Sequence, residues 1–209
     1  MGETTLRAAR FAAKHEQILE AARTVFLHKG YARAGMDDVA AAASVSTATL
    51  YRHFQSKERL FADVVAAGLR AMDAVLPPPG GDPLSDLRSV SVAYAELLAQ
   101  PDVRRLMRML IAETGDGGPM ALAFYGSVKQ TLSDRFVACL ETGIRAGCLA
   151  DIPATERSAI AGQLQGMIEH ATLLRGLVLG DDADLGDRSA PDIAHQAVDT
   201  WLAQWSGRP

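Results

Sequence analysis

Cysteine is scarce in this sequence, which has two cysteines, Cys139 and Cys148, in 209 residues. They stand nine positions apart in a stretch with helical periodicity, so their side chains project at different levels and we expect no disulfide between them. A disulfide framework of the kind that stabilises many small secreted domains is thereby excluded. The scarcity favours a reducing compartment, and we expect a cytoplasmic protein.

Long apolar runs and the common enzyme signatures are also absent. No stretch reaches the roughly 18 apolar residues of a membrane-spanning helix, so we expect no membrane partner. GxSxG, HExxH and CxxC do not occur, and TGDGGP at Thr114–Pro119 lacks the lysine of a phosphate-binding loop. We therefore predict no catalytic residues, no metal site and no cofactor. The pair Glu169 and His170 could form half of an acid–base or metal site, but we interpret His170 as an ordinary, partly buried histidine.

Aromatic residues make up only 6% of the chain, whereas alanine is its commonest residue and hydrophobic residues reach 48%. Apolar residues recur every three or four positions along most of the chain, and no segment alternates as a strand does. This pattern predicts an all-α fold of about nine helices. We place them at residues 10–29, 37–43, 47–54, 57–76, 84–99, 103–113, 120–146, 154–179 and 190–205.

Proline and glycine concentrate in a few segments that divide these helices. PPPGGDP at residues 77–83 cannot be helical and marks a boundary or a long loop. GDDADLGD at residues 180–187 predicts an acidic loop. We divide the chain into an N-terminal domain over residues 10–56, a connecting helix over 57–76 and a C-terminal domain over 77–209.

The net charge is small, −4 in total, but it is uneven. The first 60 residues carry nine lysines and arginines against six acids, a net of +3, which leaves −7 for the remainder. A basic segment on an acidic body indicates two tasks for the two parts, with polyanion binding expected in the first.

Two short helices separated by a tight turn lie within that basic segment. Their inward positions are apolar or small, as a helix-turn-helix docked on a third helix requires: Val39, Ala40, Ala43, Val45, Leu50 and Phe54. The second helix is left with an outward face of Ala48, Thr49, Tyr51, Arg52 and Gln55. A protruding helix with such a face can enter the major groove of DNA.

The chemistry of each outward residue suggests its partner. Arg52 could donate two hydrogen bonds to guanine, and the methyl groups of Thr47 and Ala48 could contact a thymine methyl. The hydroxyls of Thr49 and Tyr51 suit phosphate oxygens. Lys57 stands in the first turn of the next helix, where its ammonium and the helix N-terminus both favour a phosphate.

The stretch VSTATLYRHFQSKERLF resembles the DNA-binding signature of the TetR family of bacterial transcription regulators, and the resemblance extends from Ile18 to about Val65. It implies an all-helical homodimer with a ligand pocket in the C-terminal body. It also implies DNA contacts along the second short helix. The predicted DNA-binding set is Ser46, Thr47, Ala48, Thr49, Tyr51, Arg52, His53 and Lys57.

Two departures from the family pattern stand out. The turn has Ser44 where the family usually has glycine, which costs stability if the position needs a positive φ. The first short helix begins with Met36 and Asp37, where the family usually offers Thr or Ser to a phosphate. These departures support an alternative function: a helical small-molecule binding protein or enzyme that retains the head without binding DNA.

The body resembles one TetR subgroup more faintly, through PDVRRLMRMLIAETGDGGPMALAFYGSV. We predict a mainly apolar effector, with the pocket lined by Met72, Tyr94, Met107, Phe124, Met167 and His170. The dimer interface is predicted on the last two helices, at Gly162, Gly166, Leu173, Leu177, Ile193, Ala197 and Trp201. The function expected is that of a ligand-responsive regulator, a repressor, which binds a palindromic operator as a homodimer.

Overall fold

The computed structural model describes residues 2–75, 80–114, 130–180 and 188–207, and these residues form nine helices. The eighth, α8, continues from Arg157–Glu169 through a π-helical turn at His170–Leu174 to Arg175–Leu179. The others are α1 Gly2–Lys29, α2 Met36–Ala42, α3 Thr47–His53, α4 Lys57–Val75, α5 Pro83–Ala99, α6 Pro101–Thr114, α7 Gln130–Arg145 and α9 Ala190–Trp205.

The all-α prediction is confirmed: the described residues contain no strand, only one isolated bridge between Leu149 and Ser206. The predicted bounds of α2 to α6 and of α9 agree with the structure within two residues. Helix α1 begins eight residues earlier than predicted, because no proline or glycine interrupts residues 3–29. Helix α8 begins three residues later, after a turn closed by Glu156 N on Pro153 O at 2.9 Å. Of the helix predicted at 120–146, residues 120–129 lie outside the described part.

The chain divides into two compact units. Unit 1 comprises residues 1–69 and 109–124, and unit 2 comprises residues 70–108 and 125–209. Two helices cross the division: α4 between Leu69 and Arg70, and α6 between Arg108 and Met109. The domain boundaries given above, at 56 and 76, stay a prediction.

Unit 1 is built on an apolar core in which aromatic rings are prominent. The ring of Phe26 on α1 meets that of Phe61 on α4 edge to face, with centroids 5.3 Å apart. Five of the six inward positions predicted for the helix-turn-helix are buried: Val39, Ala40, Ala43, Leu50 and Phe54. Val45 is half-buried. This core holds α2 and α3 against α1 and α4.

Unit 2 packs α5, α7, α8 and α9 around a second core. Trp201 on α9 is 3% exposed, and its indole Nε1 donates to the carbonyl of Ile160 on α8 at 3.1 Å. Ile193 and Ala197 of the same helix are also buried, as are Leu140 and Leu164. The apolar stripe of α9 is therefore covered within a single chain.

Both cysteines are free, as expected. Cys139 is buried on α7, and burial raises the pKa of its thiol to about 11, so it is protonated at neutral pH. Cys148 lies beyond the end of α7 and not on the helix. Within the described ranges, no helix is long and apolar enough to cross a membrane.

Candidate nucleic-acid interface

The turn between α2 and α3 has the strained conformation that the sequence raised as a possibility. Ser44 has a φ of +52°, in the left-handed region where a side chain crowds the backbone. The turn is closed by a hydrogen bond from Val45 N to Ala40 O at 3.0 Å. A glycine would adopt this φ without penalty, so Ser44 costs stability at the hinge of the motif.

Helix α3 begins with a cap made by two hydroxyls. Ser46 accepts a hydrogen bond from Thr49 N at 3.2 Å and donates its own proton to Thr49 Oγ1 at 2.9 Å. This arrangement satisfies one of the free backbone N–H groups at the helix start. It also leaves the Thr49 hydroxyl proton available for a partner outside the protein.

The exposed face of α3 is the one predicted. Ala48, Tyr51 and Arg52 are exposed, with 49% of Tyr51 accessible, while Leu50 on the opposite face is buried. Thr47 and Thr49 are half-buried along one flank. Hydrogen-bonding groups thus project outward from a short helix whose other face is held in an apolar core.

Lys57 is held at the first turn of α4. Its Nζ lies 4.2 Å from the centroid of the Tyr31 ring and 3.4 Å from the carbonyl oxygen of Ala32. Ser56 caps the helix by accepting a hydrogen bond from Arg59 N at 3.2 Å. The ammonium is therefore positioned before any ligand arrives.

His53 lies differently from its neighbours on α3. Its ring stacks on Phe11 of α1 at 4.0 Å between centroids, and His15 lies 5.9 Å away. Its Nδ1 is buried and has no hydrogen-bond partner among the described residues. The pKa of His53 is lowered, first because burial removes water from the charged ring and then because of nearby cations: His15, Arg52 and Lys14. A DNA contact from His53 stays a prediction, while its visible contacts connect α3 to α1.

The predicted ligand-pocket residues are only partly described. Tyr94 is buried on α5, donates to Glu169 Oε1 on α8 at 2.5 Å and meets the Phe136 ring edge to face at 5.4 Å. Burial, and then the charge of Glu169, raise the pKa of the Tyr94 phenol well above its usual value. Met107 and Met167 are half-buried. The side chain of Met72 and all of Phe124 lie outside the described residues.

His170 lies on the surface of α8, so its interpretation as a partly buried histidine was wrong. It is exposed, and it lines a depression of about 410 Å³ together with Arg175, Leu174 and Arg188. Tyr94 is thus buried and His170 is exposed, although Tyr94 donates a hydrogen bond to Glu169, the residue directly before His170. In the described part of the chain, no group of three or more potential ligands could hold a metal ion.

Comparisons with known proteins agree with this geometry. Residues 18–64 match the family model for bacterial regulatory proteins of the tetR family. Residues 85–206 match the C-terminal domain of the AefR-like transcriptional repressors. The second match alone spans more than half of the chain.

The chain belongs to the TetR family.

Individual relatives of this TetR-family regulator support the same assignment. AcrR of Shigella flexneri is 28% identical over 180 residues, which cover 81% of this chain and 82% of AcrR. The activator FasR of Mycolicibacterium smegmatis is 49% identical over 49 residues, covering 23% of this chain and 22% of FasR. Strong local identity within a short span is what a shared DNA-binding head with divergent bodies would give.

Solved structures show the fold over nearly the whole length. A putative TetR-family regulator from Mesorhizobium loti MAFF303099 has a TM-score of 0.79 at 22% identity, covering 94% of this chain and 98% of its own. The flavonoid-responsive regulator FrrA has a TM-score of 0.74 at 27% identity, covering 95% and 100%. The protein is therefore a DNA-binding transcriptional regulator with an all-α TetR architecture.

The predicted dimer residues of this TetR-family chain divide into two groups. Gly162 and Gly166 on α8 are exposed with open space around them, and Leu173 and Leu177 are half-buried. Ile193, Ala197 and Trp201 on α9 are buried in the chain's own core, so their apolar character no longer argues for a partner. No second chain is present, and the interface stays a prediction.

Sequence reasoning overlooked an exposed apolar surface at the end of α8. Leu174 is 47% exposed, Val178 74% and Leu179 64%. The signal was available: Gly162, Gly166, His170, Leu174 and Val178 recur every four residues on one helix face. We call this set the α8 face.

Polar side chains inside unit 2 were overlooked as well. Gln165 is buried, and its Oε1 accepts from Ser133 at 3.1 Å while its Nε2 has no partner among the described residues. Ser91 on α5 is buried with its hydroxyl likewise unsatisfied, and Thr172 bonds the Ile168 carbonyl at 2.7 Å. The spacing of Gln165, Glu169 and Thr172, at i, i+4 and i+7, could have revealed a polar stripe facing inward.

Proposed function

We propose that this protein is a cytoplasmic, ligand-responsive repressor that binds a palindromic operator as a homodimer. The observation that carries the proposal is the exposed polar face of α3, supported from behind by the buried Leu50 and Phe54. A helix so mounted can enter the major groove without rearrangement of the core that holds it. Repression is supported by the family match of the C-terminal domain, whose model describes repressors.

The proposed DNA contact of each residue follows from the hydrogen-bonding or charged group that its side chain exposes. Arg52 is exposed on α3 and supplies a bidentate donor pair for guanine. The Thr49 hydroxyl retains a proton for a phosphate, and Tyr51 offers a second exposed hydroxyl. Lys57, already oriented over Tyr31, supplies a point charge to the backbone. Ser46 contributes through the cap that orients Thr49.

Homodimerisation is supported by the α8 face. An exposed apolar surface rimmed by polar groups marks a protein interface, and small residues such as Gly162 and Gly166 let two backbones approach closely. A homodimer carries two copies of α3, one for each half-site of an operator. Half-sites about 34–36 Å apart, or multiples of that spacing, would then form a palindrome.

The effector proposed for unit 2 is mainly apolar and carries a hydrogen-bonding group. Met107 and Met167 adapt to varied apolar shapes, while Gln165 Nε2 offers an unsatisfied donor and the Tyr94–Glu169 pair offers an acceptor. The flavonoid response named for FrrA, a structural relative at 27% identity, supports an aromatic compound with hydroxyl groups.

The route from effector to DNA is proposed to run along α4. This helix begins at Lys57 in unit 1 and ends at Val75 in unit 2, so a shift at its end moves its beginning. The effector shifts the equilibrium only by its differential affinity for the two states, commonly about 1–3 kcal/mol. That amount suffices for a roughly 5- to 150-fold change in operator affinity.

The test is gel-shift titration on a site selected from random DNA. Arg52→Ala should relax the preference at one base pair, at a cost of about 1–3 kcal/mol for the preferred base. Lys57→Ala should weaken binding to all DNA sequences alike, and it should reduce the slope of log affinity against log salt concentration by about one. Arg145→Ala in unit 2 removes the same charge from an exposed helix end and should leave binding as in the parent.

The rival function, a binding protein or enzyme that does not bind DNA, makes the opposite prediction. Under it the parent would enrich no sequence, and all three variants would behave alike at every salt concentration. A different outcome is that an effector raises the melting temperature and yet leaves operator affinity unchanged at saturation. That result would refute the proposed coupling between effector and DNA and would leave the proposed DNA binding intact.

A further inference from the structure

We infer that Asp37 determines which hydrogen-bonding pattern Thr47 presents to the bases, and that its charge weakens binding to DNA of every sequence. The inference rests on the proposed function, since it concerns the face of α3 that is to meet DNA. The observation behind it is a hydrogen bond across the turn: Thr47 Oγ1 donates to Asp37 Oδ1 at 3.1 Å.

Asp37 has no competing partner in the part of the chain that the structure describes. Asp38, the next residue, is engaged twice: it forms an ion pair with Lys29 at 2.7 Å and accepts from Gly35 N at 3.0 Å. Asp37 is exposed, and among the described residues its one hydrogen-bond partner is the Thr47 hydroxyl, with no cation within ion-pair distance. The carboxylate is thus available to accept the threonine proton.

A hydroxyl has one proton and two lone pairs. Because a carboxylate can only accept, the Thr47 proton must point toward Asp37 and the lone pairs must point elsewhere. Thr47 then offers an acceptor to its remaining partners. In the major groove an acceptor matches the amino groups of cytosine and adenine and mismatches the acceptor atoms of guanine and thymine.

Thr49, two residues along, has the opposite polarity. Its oxygen accepts from Ser46, so its proton remains free to donate to a phosphate or to a base acceptor. Two threonines of the same helix thus differ in hydrogen-bonding character because of their neighbours. Asp37 produces that difference although it belongs to α2 and not to the reading helix.

The charge of Asp37 has a separate consequence. A carboxylate bonded to a side chain at the DNA surface stays within about 10 Å of the nearest phosphates, a distance at which 0.1 M salt does not screen fully. The repulsion weakens binding to every sequence, whereas the hydrogen bond it maintains favours only the matching one. Specificity rises even though overall affinity falls.

The experiment separates charge from hydrogen bonding. Asp37→Asn removes the charge but keeps an oxygen that accepts from Thr47, and Asp37→Ala removes both. Thr47→Val removes the hydroxyl and keeps the charge, and Thr47→Ser keeps the hydroxyl as a rescue. Glu20→Gln removes an equal exposed charge from α1, in the same unit, as a matched control. Circular dichroism checks that each variant folds.

Each variant and the parent are used to select DNA from a random pool and to titrate a scrambled duplex at several salt concentrations. Asp37→Asn and Asp37→Ala should both bind scrambled DNA about 3- to 10-fold more tightly than the parent and Glu20→Gln do. Only Asp37→Ala and Thr47→Val should lose the preference for cytosine or adenine at one position of each half-site. Thr47→Ser should retain it.

The inference is overturned if Asp37→Ala selects the same motif as the parent, or if Asp37→Asn changes the motif as much as Asp37→Ala does. It is also overturned if both Asp37 variants bind scrambled DNA no better than Glu20→Gln. A parent that enriches no DNA at all refutes the proposed function and the inference with it. A parent that selects a motif which the variants leave unchanged refutes the inference alone.

Discussion

The two units differ in which polar side chains they expose and which they bury. In unit 1 the polar residues of α3 face outward, and apolar side chains such as Leu50 and Phe54 fill the interior. In unit 2 polar side chains such as Gln165 and Ser91 lie inside, while the aliphatic Val178 on α8 is exposed. Each arrangement suits a different kind of partner.

The difference shows which part of each unit is available to recognise a partner and which part stabilises the fold. Unit 1 recognises a rigid, charged duplex with its surface, so its core can be mainly apolar, with His53 Nδ1 as a buried polar atom. Unit 2 retains buried polar groups that cost stability when unsatisfied, and the proposed effector would supply their missing partners. Its exposed α8 face is the surface on which we propose that a second copy of the chain docks.

The largest expected effect comes from placing a charge on the α8 face. Val178→Glu would bring two like charges together across the proposed two-fold axis, at a cost of several kcal/mol. The dimer dissociation constant should rise at least about 100-fold. Analytical ultracentrifugation at micromolar concentration should show a monomer. Ala154→Glu, in the exposed turn before α8, should remain dimeric. A dimeric Val178→Glu variant would refute the assignment of this face.

Replacing a buried polar group in unit 2 should stabilise the fold. Gln165→Leu removes the unsatisfied Nε2 and should raise the free energy of unfolding by about 1 kcal/mol. The half-buried Ser133, which loses its acceptor, can turn to solvent. Thermal and denaturant unfolding measure the change, and Gln163→Leu, exposed on the same helix, is the control. Destabilisation would show that Gln165 is structural and not reserved for a ligand.

A smaller effect is expected at the turn of unit 1. Ser44→Gly should stabilise the protein by about 0.5–1 kcal/mol, because glycine adopts a φ of +52° without strain. Gln163→Gly, at an exposed position in the interior of α8, should destabilise it by a similar amount. Opposite signs for the two substitutions, read from denaturant midpoints, confirm that the backbone angle is the cause. Equal signs would exclude strain at Ser44.

The smallest effect concerns His53 and pH. Its pKa is lowered in the folded protein, so below the usual histidine pKa near 6.5 the unfolded chain binds more protons than the folded one. Stability should therefore fall as the pH drops below about 6.5, and it should be fully retained above that value. The melting temperature of His53→Gln should fall less between pH 7.5 and pH 5.5 than that of the parent. If the melting temperatures of the parent and of His53→Gln fall equally over this pH range, His53 does not cause the pH dependence.

Much of unit 1 was predictable because its rules are local. The spacing of Val39, Leu50 and Phe54 predicts the buried face of the motif, and the glycine that the family usually has at position 44 points to a positive φ there. The position of His53 was not predictable in this way. It depends on a contact between two helices, because the ring of His53 on α3 stacks on Phe11 of α1.

Unit 2 was less predictable because its features depend on which helices meet. The apolar stripe of Ile193, Ala197 and Trp201 was visible in the sequence, but periodicity does not say what covers it. The interior of the same chain covers it here, through contacts such as Trp201 with Ile160. The π-helical turn at His170–Leu174 contains no proline or glycine, so the sequence gives no local signal that predicts it.

The central claim is that the exposed face of α3 reads duplex DNA, and one measurement tests it most directly. The parent and Arg52→Ala are each used to select bound duplexes from a random pool at the same salt concentration. The account predicts that the parent enriches a palindrome and that Arg52→Ala enriches the same palindrome with one base pair in each half-site degenerate. No enrichment by the parent, or an identical motif from the variant, would contradict it.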